Sequence, residues 1–251
     1  MRIVVIGGTG LIGSKVVQGL TEHGHDAVAA APSTGVNTLT GEGLSEVLTG
    51  ANAVIDVSNS PTLDGAAKEF FKTATTNLLN AEAEAGVSHH VALSVVGTER
   101  LAQESEYFQA KQLQEELISG GPIPYTIVHA TQFHEFIGKI VDSATVEGTV
   151  RVPNAFIQPM ASADVAEAVA IAAVNDPVNG TVEVGGPERF RMPDLMRTAL
   201  AAHGDPREVV LDPSAGYWGV QIDETTLVPG EGATLFDIRF SDWASEAAAK
   251  A

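Results

Sequence analysis

The chain has 251 residues, 44% hydrophobic and 18% charged, which is enough apolar content for a full α/β core and too much for disorder. A formal net charge of -18 argues against nucleic acid and against anionic membrane surfaces, since both select basic patches. The absence of cysteine excludes disulfides and thiolate metal sites. No apolar run approaches a membrane span, and the first one is too short for a signal peptide, so a soluble cytoplasmic protein is expected.

Ile3-Val4-Val5-Ile6 reads as a short buried strand running into Gly7-Gly8-Thr9-Gly10-Leu11-Ile12-Gly13. Leu11, Val16, Val17 and Leu20 then recur with helical period. Strand, glycine turn and helix follow in the order that a phosphate-binding crossover needs. Gly7 lets the chain turn sharply, Gly10 has no Cβ to hold a pyrophosphate away, and Gly13 lets the helix pack closely on the strand. Thr9, Leu11 and Ile12 complete the turn, whose N–H groups and positive helix end face the anion. An ordinary tight turn accounts for one glycine, not three. In so acidic a chain, these local donors must hold an anionic cofactor against the overall field.

Residues 26–31 read as a second strand, ended by Pro32-Ser33-Thr34-Gly35. Dinucleotide folds place a carboxylate here for the ribose 2′-OH of NAD. None stands at residues 31–33, and Ser33 and Thr34 offer hydroxyls to a 2′-phosphate. That favours NADP; NAD stays open because no arginine is present either, and a plain polar loop explains the stretch nearly as well. Residues 43–48 suggest a short helix and 53–57 a third strand. Ser58 and Asn59 follow it on the ligand side of an open sheet, or make an Asx-type turn before Pro61. A long helix over 64–85 starts at Asp64 and stops at Gly86, with Ala66, Phe70, Leu78 and Leu79 inward. The fourth strand covers 89–94. Its paired His89 and His90 are expected at the end away from the crevice, as solvent-facing or core-edge groups, and Ser94 at the end where chemistry sits.

A helix over 104–119 puts Tyr107 and Lys111, four apart, on one face. Residues 124–129 form the fifth strand. His129 and His134 lie near its ligand end but, five apart, do not share a helical face as metal ligands would; no metal is assigned, a capping or substrate-facing histidine is the reading, and His129 is placed among the cofactor-binding residues. Strands near 149–152 and 157–161, a helix over 162–174 and a strand over 181–184 complete the core. A helix over 192–202, an irregular stretch around Tyr217-Trp218 and a closing helix from Ser241 follow.

Gly7-Gly8-Thr9-Gly10-Leu11-Ile12-Gly13 resembles the TGxxGxxG turn of extended and atypical short-chain dehydrogenases/reductases. Ser94, Tyr107-Phe108-Gln109-Ala110-Lys111, Ile123-Pro124-Tyr125-Thr126-Ile127-Val128 with Gln132-Phe133, and Gln158-Pro159-Met160 with Asp164-Val165-Ala166 are similar to the NmrA-like, NAD(P)-binding branch. The resemblance runs in order over about residues 1–185. It implies an α/β fold, a Rossmann doubly wound parallel sheet, with an NAD(P)-binding domain at 1–187 and a small C-terminal substrate lobe at 188–251.

The resemblance also implies that Tyr107 is the general acid/base and that Ser94 hydrogen-bonds the substrate carbonyl. Lys111 would lower the tyrosine's pKa and bind the nicotinamide ribose. A phenol of ordinary pKa, roughly 10, needs a nearby cation to work near neutrality, and a lysine four residues on supplies one. Only thirteen positions separate Ser94 from Tyr107, a shorter interval than most extended members have. The plainer reading of Tyr107 is a half-buried aromatic in a helix's first turn. Three functions follow. The first is an NAD(P)H-dependent oxidoreductase acting on a small carbonyl, quinone or similar molecule. The second is a regulator that binds cofactor and a protein partner without turnover. The third, a nucleotide-sugar epimerase or dehydratase, is disfavoured by the small, arginine-poor lobe. A homodimer stays open.

Overall fold

The side chains of Ile3, Val4, Val5 and Ile6 are sealed from solvent on both faces, as the middle of a parallel sheet requires. This strand organises the fold seen in the computed structural model, which describes residues 1–249; the last two positions of the expected lobe lie outside the described residues. In chain order come β1 (Arg2–Ile6), α1 (Gly13–Glu22), β2 (Asp26–Ala30), α2 (Leu44–Val47), β3 (Ala53–Asp56), α3 (Ala66–Ala85) and β4 (His89–Val95). Next are α4 (Thr98–Leu101), α5 (Glu106–Ser119), β5 (Tyr125–Ala130), α6 (Ile137–Ser143), β6 (Thr145–Val146), β7 (Thr149–Val152) and β8 (Phe156–Ile157). The remainder is α7 (Ser162–Val174), β9 (Gly180–Gly185), β10 (Phe190–Arg191), α8 (Met192–Ala202), β11 (Glu208–Leu211), β12 (Thr234–Leu235) and α9 (Phe240–Ala249).

The central sheet has the strand order β12-β9-β5-β4-β3-β1-β2. β1 lies parallel between β2 and β3, pairing Val4 with Val28 on one side and with Val54 on the other. The chain winds from β1 outward to β2, then returns past β1 to β3, β4 and β5. This is a Rossmann-like doubly wound α/β fold, with its switch point at β1 and β3, the place where such sheets bind ligands. Two compact units are formed. The first comprises Met1–Ser94, Ser105–His129 and Val165–Val182; the second comprises Val95–Glu104, Ala130–Asp164 and the chain from Glu183 onward.

In the first unit α3 packs on α5. The inward face of α3 is Ala67, Phe71, Ala74, Thr75, Leu78, Leu79 and Glu82. Its first turns are thus rotated by one residue from the expected Ala66 and Phe70, and Phe70 is left half-buried. Gly86 ends the helix at φ 72°, a left-handed cap that glycine adopts without strain. The histidine pair also departs from expectation. Both rings belong to β4 and are buried, because each finds a buried partner: His89 Nε2 lies 3.0 Å from Thr126 Oγ1, and His90 Nδ1 lies 2.8 Å from Glu82 Oε1. α5 starts at Glu106, two residues late, because Ser105 accepts the Phe108 N–H and caps it.

In the second unit β7 is flanked by β6 and β11, and β8 pairs with β10. Of the strand expected over 157–161 only its first residue belongs to β8. Phe240 and Trp243 of α9 place their rings 5.3 and 5.5 Å from that of His134. The Glu135 carboxylate beside them accepts the Ser162 N–H and the Trp243 indole N–H. Among the described residues no helix is long and apolar enough to cross a membrane, and no group of three His, Asp or Glu residues is placed to hold a metal ion.

Candidate cofactor and active site

The turn after β1 is shaped as an anion cradle. Gly7 takes φ +77°, and a Cβ there would press on the backbone N of Ser58 at 3.0 Å. A Cβ on Gly13 would overlap the Gly7 carbonyl oxygen, so the start of α1 closes on the turn only with glycine present. Gly8 is equally tight, its missing Cβ falling 2.7 Å from Ala29 Cα, a constraint that the glycine spacing did not reveal. Gly10 differs. A Cβ there would meet only the Gly7 oxygen, at 3.3 Å, and otherwise open space.

α1 begins without a side-chain cap at Ile12 and without an acid in its first turn. The N–H groups of Leu11 and Ile12 find no acceptor among the described residues. Free N–H groups, the positive helix end and no competing carboxylate are what a pyrophosphate needs. The residues present fit a dinucleotide. Thr9 is exposed, its hydroxyl 3.5 Å from Ser33 Oγ, which places the end of β2 beside the turn. Thr34 is committed elsewhere: its hydroxyl accepts the Ala31 N–H at 2.9 Å and closes the tight turn at Pro32–Thr34. Of the two expected 2′-phosphate ligands, Ser33 is the one whose hydroxyl is held only by a long, exposed hydrogen bond, to Thr9.

β3 delivers Asp56, buried at the strand's carboxyl end. Its Oδ1 accepts the Ser58 N–H at 2.9 Å and the Ser58 hydroxyl at 2.6 Å, an Asx turn. Ser58 therefore serves the site through the backbone that closes on Gly7. Asn59 stays exposed, and its Oδ1 accepts the Tyr107 hydroxyl at 3.0 Å.

Tyr107, Lys111 and Glu115 recur every four residues of α5 and share one face. The expected couple between the first two is not formed. Lys111 is buried, donates to the Leu93 carbonyl at 2.9 Å and to Gln114 Oε1, and lies over the Phe71 ring. Burial pushes its ammonium down to about 8, against the pull of Asp56 and Glu115. Burial also pushes the Tyr107 phenol up to about 12, against the Asn59 hydrogen bond. The expected depression of the phenol is thus reversed. Spacing of four fixes a shared face, but a flexible four-carbon stem decides where the ammonium goes.

Ser94 is corrected as well. It is buried at the carboxyl end of β4, and its single proton is donated to Glu115 Oε1, so it has none to give a substrate carbonyl. The same oxygen lies 2.9 Å from Nε2 of His129, at the end of neighbouring β5. Burial by itself would raise the Glu115 carboxyl; the His129 and Ser94 hydrogen bonds and the charge of Lys111 outweigh it and hold the group below its ordinary value. Glu115 and Asp56 were missed in the sequence. Glu115 continues the 107–111 spacing by one more step, a signal that could have found it.

A doubly wound sheet with a glycine cradle at its switch point defines a dinucleotide-binding protein. Residues 7–177, more than half of the chain, match the family described as NAD(P)H-binding, and the chain belongs to that family. No curated protein sequence matches it. Its fold is similar to that of a short-chain dehydrogenase/reductase superfamily protein from Agrobacterium tumefaciens with bound NAD, at 17% identity and a TM-score of 0.71 over 99% of this chain and 96% of that one. A dTDP-4-dehydrorhamnose reductase from Clostridium acetobutylicum is similar at 14% identity and 0.70, over 100% and 99%. Thermus thermophilus UDP-glucose 4-epimerase in complex with NAD is similar at 19% and 0.65, over 90% and 92%. At such identities the likeness is one of fold.

Proposed function

We propose that the chain is an NADP(H)-dependent oxidoreductase of the NmrA-like short-chain dehydrogenase/reductase type, moving hydride between the cofactor and a small carbonyl, quinone or similar substrate. The observation that carries this reading is one unit holding both a glycine cradle with free N–H groups and a protonated phenol on α5. Gly7, Thr9, Gly10, Leu11, Ile12 and Gly13 hold the pyrophosphate. Ser33 meets the 2′-phosphate, in a stretch, residues 31–35, that carries no carboxylate to repel it, and Asn59 and His129 line the cofactor. When bound, the reduced nicotinamide supplies hydride.

Tyr107 stays protonated throughout the physiological range and donates a hydrogen bond to the carbonyl oxygen. That suits reduction, because the alkoxide forming there is a stronger base than a phenolate. Lys111 reaches a ribose only by leaving the Leu93 carbonyl. The similar structures named for nucleotide-sugar reduction and epimerisation keep such substrates in the assay panel beside aldehydes, ketones and quinones.

Tyr107→Phe is expected to lower kcat for NADPH oxidation by about 100- to 1,000-fold with cofactor affinity nearly unchanged. The uncoupled Tyr107 and Lys111 favour one second reading, a cofactor-sensing regulator. Wild-type protein that binds NADPH yet turns over nothing on the panel selects it.

A further inference from the structure

Three buried histidines, His89, His90 and His134, each have a ring nitrogen sealed in the interior without a partner. His129 is built differently. Its Nε2 faces Glu115 Oε1, and its Nδ1 has no partner among the described residues and is not sealed. Glu115 is held as a carboxylate, which only accepts, so the proton of this bond resides on Nε2. The tautomer is thereby fixed, and Nδ1 is the nitrogen left to exchange protons. A ring oriented through one nitrogen by a carboxylate, with the other presented, is the arrangement of a general acid/base. The charged groups around the pair are Glu115 and Lys111 from α5 and Asp56 from β3, which acts on Lys111; Ser94 from β4 is neutral.

We infer that His129, oriented by Glu115, is the proton-transferring residue of this site, and that Tyr107 contributes a hydrogen bond only. The inference rests on the oxidoreductase reading above. In reduction the substrate carbonyl carbon takes hydride from the reduced nicotinamide, and the C=O π pair moves onto oxygen. That oxygen takes the proton from Nδ1 of the doubly protonated ring, giving an alcohol and oxidised cofactor. The neutral ring then regains a proton from water. Glu115 is a positioning residue: it fixes the ring and touches no reacting atom.

The experiment is kcat for NADPH-dependent carbonyl reduction from pH 5 to 9 in wild type, His129→Gln, Glu115→Gln and Tyr107→Phe. Wild-type kcat is expected to fall as pH rises, because the step consumes the proton on Nδ1. His129→Gln should lose at least about 100-fold and give a flat profile. Glu115→Gln should lose about 10-fold and displace the inflection, while Tyr107→Phe keeps the wild-type shape at lower height. Ring-nitrogen NMR of wild type, which needs no variant to fold, should show His129 protonated at Nε2. Wild-type rate and pH dependence in His129→Gln, or an Nδ1–H tautomer at neutral pH, overturns the inference and leaves the oxidoreductase reading standing. A wild type inert on every substrate overturns both.

Discussion

Gly10→Ala is expected to weaken NADPH binding by at least about 100-fold, close to 3 kcal/mol, while barely moving the melting temperature. The methyl group would enter open space as far as the protein is concerned, touching only the Gly7 oxygen at 3.3 Å. On the proposed reading, that open side is the one the pyrophosphate takes. Gly13→Ala is the contrasting variant. Its methyl overlaps the Gly7 carbonyl, so the turn must open and stability should fall together with affinity. Cofactor titration and thermal melting of the two variants separate exclusion of a phosphate from disruption of the fold. A Gly10→Ala protein that binds normally would put the pyrophosphate somewhere else.

Glu82→Gln is expected to destabilise the protein by about 3–5 kcal/mol at acidic pH, where the wild type holds the buried ion pair, and by less at higher pH, where the unpaired ring sheds its proton. That is a large part of the stability of an ordinary domain. Both side chains of the Glu82–His90 pair are fully buried. Burial by itself would lower the imidazole's pKa; the Glu82 carboxylate, aided by Asp56, overrides it and raises the value. A histidine raised on folding stabilises fully below its unfolded value of about 6.5, and the contribution disappears as pH climbs through the higher folded value. Urea unfolding should therefore show wild type losing more stability than Glu82→Gln as pH is raised from about 6. Equal losses would show that the pair does not titrate in this way.

The skeleton of the fold was legible because its signals are local. A run of aliphatic residues followed by spaced glycines specifies β1, the turn and α1, and the bounds of α7 and α8 match those read from the sequence. β6, β8, β10 and β12 were not foreseen in this form: each is two residues long and exists through pairing rather than through a pattern of its own. Strand-end positions also located the polar residues read as the site, since Ser94 and His129 stand at the ends of β4 and β5 and Asn59 lies three residues beyond β3. Sequence spacing could not say which partner each side chain would choose. Lys111 turned to a carbonyl instead of the phenol, and Ser94 gave its proton to a glutamate twenty-one residues away. His90 is buried for the same kind of reason, a carboxylate on a neighbouring helix.

The central claim is that the first βα corner holds the pyrophosphate of a nicotinamide dinucleotide. Calorimetric titration of the wild-type chain with NADPH and with NADH tests it most directly. Saturable binding at one site per chain, tighter for NADPH, is the expected result. Failure of the chain to bind either dinucleotide would contradict it.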